Sequence, residues 1–247
     1  MSIVSEVYRK TRKRPDLFWN TYVCRPPAAV VVAALRNTPV TPNQITFAAF
    51  FLALAACGIL LAVPGHAGLL VGVVVFQLSY VLDCADGMLA RWRNIQSTQG
   101  HLLDFLMDEI KAFALLGVAS VRLWREHADD RFLVLGIGGL CCLATGIGLT
   151  TFQRRPEIAP PPATGALAAS QVRSKSPVKL AIGLVERIAK FLIHYPSYLL
   201  YVAIAGRLEA YLLPYVAVNA LYAARALASV ILRFGRPERP KSSDAEA

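Results

Sequence analysis

Residues 45–63 read ITFAAFFLALAACGILLAV, a run of 19 residues without a charged side chain. A helix needs about 20 apolar residues to cross the hydrocarbon core of a bilayer. The whole chain has 247 residues, of which 55% are hydrophobic and 17% are charged. Soluble domains carry roughly 25% charged residues. The run and the composition together predict an all-α integral membrane protein.

Other apolar segments extend this pattern along the chain and predict six transmembrane helices in total. The first ends at Pro64-Gly65, and the first half of the fifth is polar, which favours an interfacial or cavity-lining start. The spans are predicted over residues 45–63, 67–82 (continuing to about residue 91), 102–123, 132–152, 178–206 and 210–232. We therefore predict an N-terminal interfacial helix in residues 1–40, a six-helix membrane domain in 41–235 and a disordered polar tail in 236–247.

The net charge of +10 is concentrated beside the apolar segments. Seven Lys and Arg precede residue 45, which is typical of a segment that lies on anionic lipid headgroups. Residues 3–36 are accordingly predicted to form an amphipathic helix at the membrane surface. Loops on one side of the six-span layout carry 18 Lys and Arg, against 4 on the other. This bias predicts that both termini face the cytoplasm, and the absence of a basic face interleaved with aromatic residues argues against nucleic acid as a partner.

Four aspartates stand between two of the apolar segments, in DCADGMLARWRNIQSTQGHLLDFLMD, residues 83–108. Asp83 and Asp86 are three positions apart and Asp104 and Asp108 are four apart, so on helices each pair shares one face. A short loop between the two helices turns these faces toward each other. We therefore expect the four carboxylates to converge.

Four carboxylates at membrane depth need compensation, because each one costs about 2.5–3.5 kcal/mol on insertion scales. An ion-pair network with arginines is one solution, but few arginines lie nearby in the sequence. Two divalent cations would balance the formal charge, and carboxylate oxygens suit hard ions such as Mg²⁺ or Mn²⁺. The five cysteines show no spacing typical of zinc. A paired Mg²⁺ or Mn²⁺ site indicates phosphate or pyrophosphate chemistry.

The spacing of this segment also resembles that of a known family. The pattern Asp83-x2-Asp86-Gly87-x2-Ala90-Arg91-x8-Gly100-x3-Asp104-x3-Asp108 resembles the complete signature of the CDP-alcohol phosphotransferases. The preceding TPNQIT, residues 41–46, is similar to the segment that opens the first membrane helix of that family. Beyond about residue 125 the resemblance is one of architecture only.

The resemblance implies a homodimer of six-helix subunits, each with a polar cavity open to the cytoplasm. There a CDP-linked lipid or alcohol, such as CDP-diacylglycerol, gives its phosphoryl-alcohol part to an acceptor alcohol and CMP leaves, as in phospholipid biosynthesis. Carried over by position, the metal ligands are Asp83, Asp86, Asp104 and Asp108, and Asp108 is also the general base. The residues facing the cytidine diphosphate are Gly87, Ala90, Arg91, Ser97 and Gly100.

Several further residues have two interpretations. Asn43 and Thr46 contact the nucleotide or cap the first helix together with Thr41. Lys111 contacts the acceptor or forms a salt bridge with Asp108, and Arg187 contacts the acceptor or lies on a solvated helix face. Two other functions remain as alternatives: a magnesium-dependent membrane prenyltransferase, which would need a second Asp-rich motif, and a divalent-cation transporter, which gives no reason for the Gly, Ala and Arg of the motif.

Overall fold

The computed structural model describes residues 2–13, 16–155, 158 and 195–234. Within these ranges the chain forms helices joined by short turns, without a strand. The elements in order are α1 (Ile3–Thr11), a π-helical turn (Asn20–Cys24), α2 (Arg25–Leu35), α3 (Pro42–Ala62), α4 (Gly65–Arg93), α5 (Thr98–His127), α6 (Arg131–Gln153), α7 (Tyr195–Ala205) and α8 (Glu209–Phe234). The predicted all-α class is confirmed for this part of the chain.

Four of the described helices, α3, α4, α6 and α8, are long and apolar enough to cross a membrane. They correspond to the predicted first, second, fourth and sixth spans, and they indicate an integral membrane protein. Helix α5 has 30 residues, but its uncharged stretch covers only residues 112–121, between Lys111 and Arg122. Residues 178–194 of the predicted fifth span lie outside the described residues. Six spans therefore stay a prediction.

The N-terminal segment is not the single helix that the sequence predicts over residues 3–36. Helix α1 ends at Thr11, and a π-helical turn leads directly into α2. The intervening sequence contains Pro15, and a proline inside a helix lacks an amide donor and clashes with the preceding turn. Both pieces pack against the C-terminal half of α4, through a buried cluster made of Val7, Ala28, Ala29, Val32, Ala33, Ile45, Ala85, Met88 and Leu89.

Helices α3 and α4 form a hairpin that α5 holds closed at the end remote from the aspartates. The hairpin turns at Gly65, whose φ of +74° is costly for any residue with a Cβ. Arg122 of α5 is 3% exposed and donates hydrogen bonds to the carbonyls of Leu60, Val63 and Gly65 at 2.7, 2.9 and 2.6 Å. The bonds to Leu60 and Val63 satisfy carbonyls at the end of α3 that have no helical partner, and the bond to Gly65 reaches the first residue of α4.

The turn between α4 and α5 sets the relation of the two aspartate-bearing helices. Helix α4 ends at Asn94, which adopts the left-handed conformation with φ of 58°, a conformation that asparagine tolerates better than most residues. Helix α5 begins after Ser97, whose Oγ accepts a hydrogen bond from the amide of Gly100 at 3.0 Å. The motif sequence thus specifies both the stop of one helix and the start of the next, only a few residues apart.

Candidate active site

Three of the four motif aspartates meet between α4 and α5. Asp83, Asp104 and Asp108 each offer a carboxylate oxygen, and these three oxygens all lie within 4.8 Å of one another. Asp83 comes from α4, and the other two come from successive turns of α5. We call these residues the aspartate triad. The shared helix face predicted for Asp104 and Asp108 is what places both of them opposite Asp83.

Asp86 is not a member of the aspartate triad, and its predicted place in a site of four carboxylates stays a prediction. Its Oδ2 accepts a hydrogen bond from the Thr46 hydroxyl at 2.5 Å, and its Oδ1 accepts one from the amide of Gly87. Three positions on a helix correspond to about 300°, so Asp86 diverges from Asp83 by about 60°. The Thr46 hydroxyl, on α3, binds the carboxylate at this new angle.

The Thr46 hydroxyl donates its hydrogen bond to Asp86 and does not cap its own helix. It lies 2.5 Å from Asp86 Oδ2 and 3.2 Å from the carbonyl of Pro42. A hydroxyl has one proton to donate, and an ionised carboxylate is a stronger acceptor than a carbonyl. Capping of α3 is done by Thr41 and Gln44, whose side chains each bond to the other's backbone amide.

Lys111 is buried beside the triad. Its Nζ lies 2.5 Å from Asp83 Oδ1 and 2.7 Å from Asp108 Oδ1, and the residue is 2% exposed. Of its two predicted roles, the structure shows the ion pair and extends it to a second aspartate. An ammonium has three N–H donors and two of them are used here, so the acceptor contact of Lys111 stays a prediction.

Asp108 is the most accessible member of the two ion pairs at Lys111. Its side chain is 41% exposed, against 11% for Asp83. Its Oδ1 is buried and lies 2.7 Å from the ammonium of Lys111. The carboxyl group is therefore held at one oxygen by a charge and is open to solvent elsewhere, which suits a group that exchanges a proton with a bound molecule.

A cavity of about 410 Å³ opens beside Asp86 and Asp104. It is bounded by the start of α3, the last turns of α4 and the first turns of α5. All seven residues that the sequence predicts to face a nucleotide line it: Asn43, Thr46, Gly87, Ala90, Arg91, Ser97 and Gly100. The structure thus brings the predicted set together in one place, while their role as nucleotide contacts stays a prediction.

Arg91 reaches the cavity over a glycine and is tied to the N-terminal segment. Its Nε donates a hydrogen bond to the carbonyl of Thr11 at 2.6 Å. A Cβ added at Gly87, one turn earlier, would lie 3.3 Å from Nη1 and 3.5 Å from Nη2 of Arg91. The glycine therefore leaves room for the guanidinium to lie along α4, with its two terminal nitrogens at the cavity wall.

The N-terminus of α5 forms the opposite wall. Ser97 caps the helix, and a Cβ at Gly100 would lie 3.1 Å from Ser97 Oγ and 3.5 Å from Asn43 Oδ1. The first amides of a helix lack internal partners and carry a partial positive charge, which favours anions. Together with Arg91, this wall gives the cavity two separate features that suit a phosphate group.

Sequence reasoning missed two titratable residues of the cavity wall, Lys13 and His101. Lys13 belongs to the basic N-terminal run, whose placement against α4 is not visible in the linear sequence. His101 follows Gly100, but no spacing rule assigns the imidazole a function. Arg187, the other predicted acceptor contact, lies outside the described residues.

The triad fits a divalent cation. Its ligand atoms are carboxylate oxygens, the donors that Mg²⁺ and Mn²⁺ prefer, and they all lie within 4.8 Å of one another. Asp86 and Asp104 also line the cavity, so an ion held by these carboxylates would be next to a ligand bound there. The arrangement can bring a negatively charged ligand, a cation and an exposed carboxylate together.

These features define a helical membrane protein with an acidic, metal-compatible site next to a cavity of about 410 Å³. The family model described as CDP-alcohol phosphatidyltransferase matches residues 39–232, and the chain belongs to this family. A comparison with curated proteins finds no match. Membership makes the protein a transferase of phosphate-containing groups, in a family that generally uses divalent metals, and it favours this function over the prenyltransferase and transporter alternatives.

Proposed function

We propose that the protein transfers a phosphatidyl or related phosphoryl-alcohol group from a CDP-alcohol to an acceptor hydroxyl, with release of CMP. The observation that supports this proposal best is the cavity of about 410 Å³. It is lined by the motif residues that the family resemblance assigns to the nucleotide, and it includes two of the four aspartates. CDP-diacylglycerol is the donor we favour, because a lipid-linked substrate suits a site on membrane helices.

Binding of the donor is assigned to residues of the cavity wall. The guanidinium of Arg91 and the first amides of α5 would bind the diphosphate, because its negative charge is attracted by both of these positive groups. Asn43 lies beside Gly100, where its amide can hydrogen bond to the cytidine part. The glycines at positions 87 and 100 leave the backbone open for close approach of the phosphate oxygens.

Chemistry is assigned to Asp108. The acceptor oxygen attacks the phosphorus that bears the alcohol of the donor, and the bond from that phosphorus to the bridging oxygen of the diphosphate breaks. The electron pair of the broken bond leaves with CMP, and the proton of the acceptor hydroxyl passes to Asp108. Asp108 is one turn along α5 from Asp104 of the cavity wall, and its exposed side chain is better placed to take this proton than the buried Asp83.

The triad, with Asp86 as a further ligand, is proposed to hold Mg²⁺ or Mn²⁺. A cation bound there would neutralise charge on the diphosphate and stabilise CMP as the leaving group. Thr46 keeps the Asp86 carboxylate turned toward the cavity through its 2.5 Å hydrogen bond. The sequence predicts two ions per site.

The proposal includes the membrane arrangement that the sequence predicts. Six spans with both termini in the cytoplasm would place the turn between α4 and α5, and with it the cavity, at the cytoplasmic surface. The homodimer implied by the family resemblance also belongs to the proposal. No step above requires it, because one chain supplies all four aspartates and the cavity.

The proposed reaction is tested by CMP release from purified protein in detergent or liposomes. With CDP-diacylglycerol, Mg²⁺ and a panel of acceptors that includes glycerol 3-phosphate, inositol phosphate and serine, we expect CMP formation with at least one acceptor. Excess EDTA should reduce the rate to background, and added Mg²⁺ or Mn²⁺ should restore it, because the carboxylates alone repel the diphosphate. Chromatographic quantification of CMP gives the rate.

Boiled protein and reactions without acceptor serve as controls. CMP formation that continues unchanged in EDTA would contradict the role assigned to the aspartates. Divalent-cation flux across liposomes without CMP release would support the transporter alternative instead.

A further inference from the structure

Lys111 is a buried cation placed within the proposed metal site. Its Nζ contacts Asp83 of α4 at 2.5 Å and Asp108 of α5 at 2.7 Å. Both aspartates belong to the group of three whose oxygens lie within 4.8 Å of one another. The residue is 2% exposed, so these two carboxylates take the place of water around its ammonium group.

The position of this charge alters the electrostatics of the whole cluster. Four ionised aspartates carry a formal charge of −4, and the ammonium of Lys111 reduces it to −3. Two divalent cations would then exceed the charge of the protein ligands, whereas one would not. A like charge a few ångströms away also opposes cation binding, and this repulsion is strong in a poorly solvated site.

We propose that Lys111 is an internal counter-ion of the aspartate cluster. It holds Asp83 and Asp108 together before any metal binds, and it limits the protein without substrate to one divalent ion, so that a second ion is bound only together with the phosphates of the donor. This inference rests on the proposed function for the identity of the ion, and it adds to the predicted two ions per site that the second binds only with the donor.

Two features distinguish this role from that of an ordinary surface salt bridge. The two carboxylates lie on different helices, 28 and 3 positions away from Lys111 in the sequence. The ammonium therefore links α4 to α5 at the site itself. Removal of one partner from a buried ion pair leaves uncompensated charge, which is strongly destabilising unless another cation takes its place.

The test is Mn²⁺ binding to the full-length protein and to Lys111→Met, measured by titration calorimetry without nucleotide. We expect one ion per chain for the unmodified protein. Lys111→Met should bind Mn²⁺ roughly tenfold more tightly, with a stoichiometry closer to two. In EDTA its Tm should fall by roughly 10 °C, and Mn²⁺ should restore most of this loss.

Arg122→Met is the matched control. Arg122 is also buried on α5, 3% exposed, and it lies about 16 Å along the helix from Lys111. Its guanidinium binds backbone carbonyls and Glu126 instead of the aspartates. The Tm of this variant should fall, and Mn²⁺ should not restore it. Its affinity for Mn²⁺ should equal that of the unmodified protein. Lys111→Arg, which keeps the charge, should retain a stoichiometry of one.

Two results would overturn the inference while leaving the proposed function intact: two Mn²⁺ ions bound by the unmodified protein without nucleotide, or an unchanged Mn²⁺ affinity in a folded Lys111→Met. The first result does not depend on any variant being stable. Unmodified protein that neither binds Mn²⁺ nor releases CMP would overturn the inference and the proposed function together.

Discussion

Replacement of Asp108 by asparagine should lower the rate of CMP formation by roughly 10²–10⁴-fold, the usual contribution of a general base. An amide has almost the same shape as a carboxyl group but cannot accept the proton of the acceptor hydroxyl. Because Lys111 still has Asp83 at 2.5 Å, the variant should fold, and its Tm should change little. CMP release under saturating donor and acceptor is the measurement.

Glu109→Gln is the matched control for this result. Glu109 is the next carboxylate on α5, but one position on a helix turns it by about 100° away from the triad. The same loss of charge there should leave the rate within about twofold. Equal losses in the two variants would indicate a general effect of charge on α5, and normal turnover in Asp108→Asn would remove Asp108 from the mechanism.

Replacement of Arg91 by alanine should raise the KM for the CDP-alcohol and lower kcat/KM by roughly tenfold to a hundredfold. Hydrogen bonds to charged groups contribute about 1.5–3 kcal/mol, and every 1.4 kcal/mol changes the ratio tenfold. The variant also loses the bond from Nε to the carbonyl of Thr11, so the N-terminal segment should become more accessible to trypsin. Steady-state kinetics with varied donor give the comparison.

Arg93→Ala supplies the contrast, since it removes an arginine two positions away that faces a different part of the fold. Its guanidinium donates to the carbonyls of Val40, Leu35 and Thr38 at 2.6, 2.7 and 2.7 Å. Loss of these bonds should lower the Tm, with the KM for the donor nearly unchanged. A KM effect as large as that of Arg91→Ala would show that bulk positive charge, rather than the position of Arg91, binds the donor.

Much of the membrane architecture could be predicted from the sequence because its signals are local. The apolar run in residues 45–63 and the turn at Gly65 gave boundaries within a few residues of α3 and the start of α4. The predicted end near residue 91 and the predicted start at residue 102 also lie within a few residues of the end of α4 at Arg93 and the start of α5 at Thr98. The prediction of a single helix over residues 3–36 was wrong. It relied on the apolar and basic residues of this segment and neglected the helix-breaking effect of Pro15.

The sequence could predict which residues belong to the candidate site, but not how their side chains are arranged. Helical spacing placed Asp104 and Asp108 on one face, yet the same rule left Asp86 about 60° from Asp83, and only the position of Thr46 on a third helix shows which way it turns. The sequence did not decide between the two roles of Lys111, because its second partner, Asp83, is 28 positions away. Lys13 comes from a segment whose packing depends on tertiary contacts.

We propose that the aspartate triad and the adjacent cavity form one site for a divalent cation and a CDP-alcohol. The decisive measurement is anomalous diffraction from crystals grown with Mn²⁺ and a CDP-alcohol. We expect a manganese peak within about 2–2.5 Å of carboxylate oxygens of Asp83, Asp104 or Asp108, with the diphosphate in the cavity between Arg91 and the start of α5. A manganese peak elsewhere, with the nucleotide bound away from these residues, would show that the triad and the cavity are not one site.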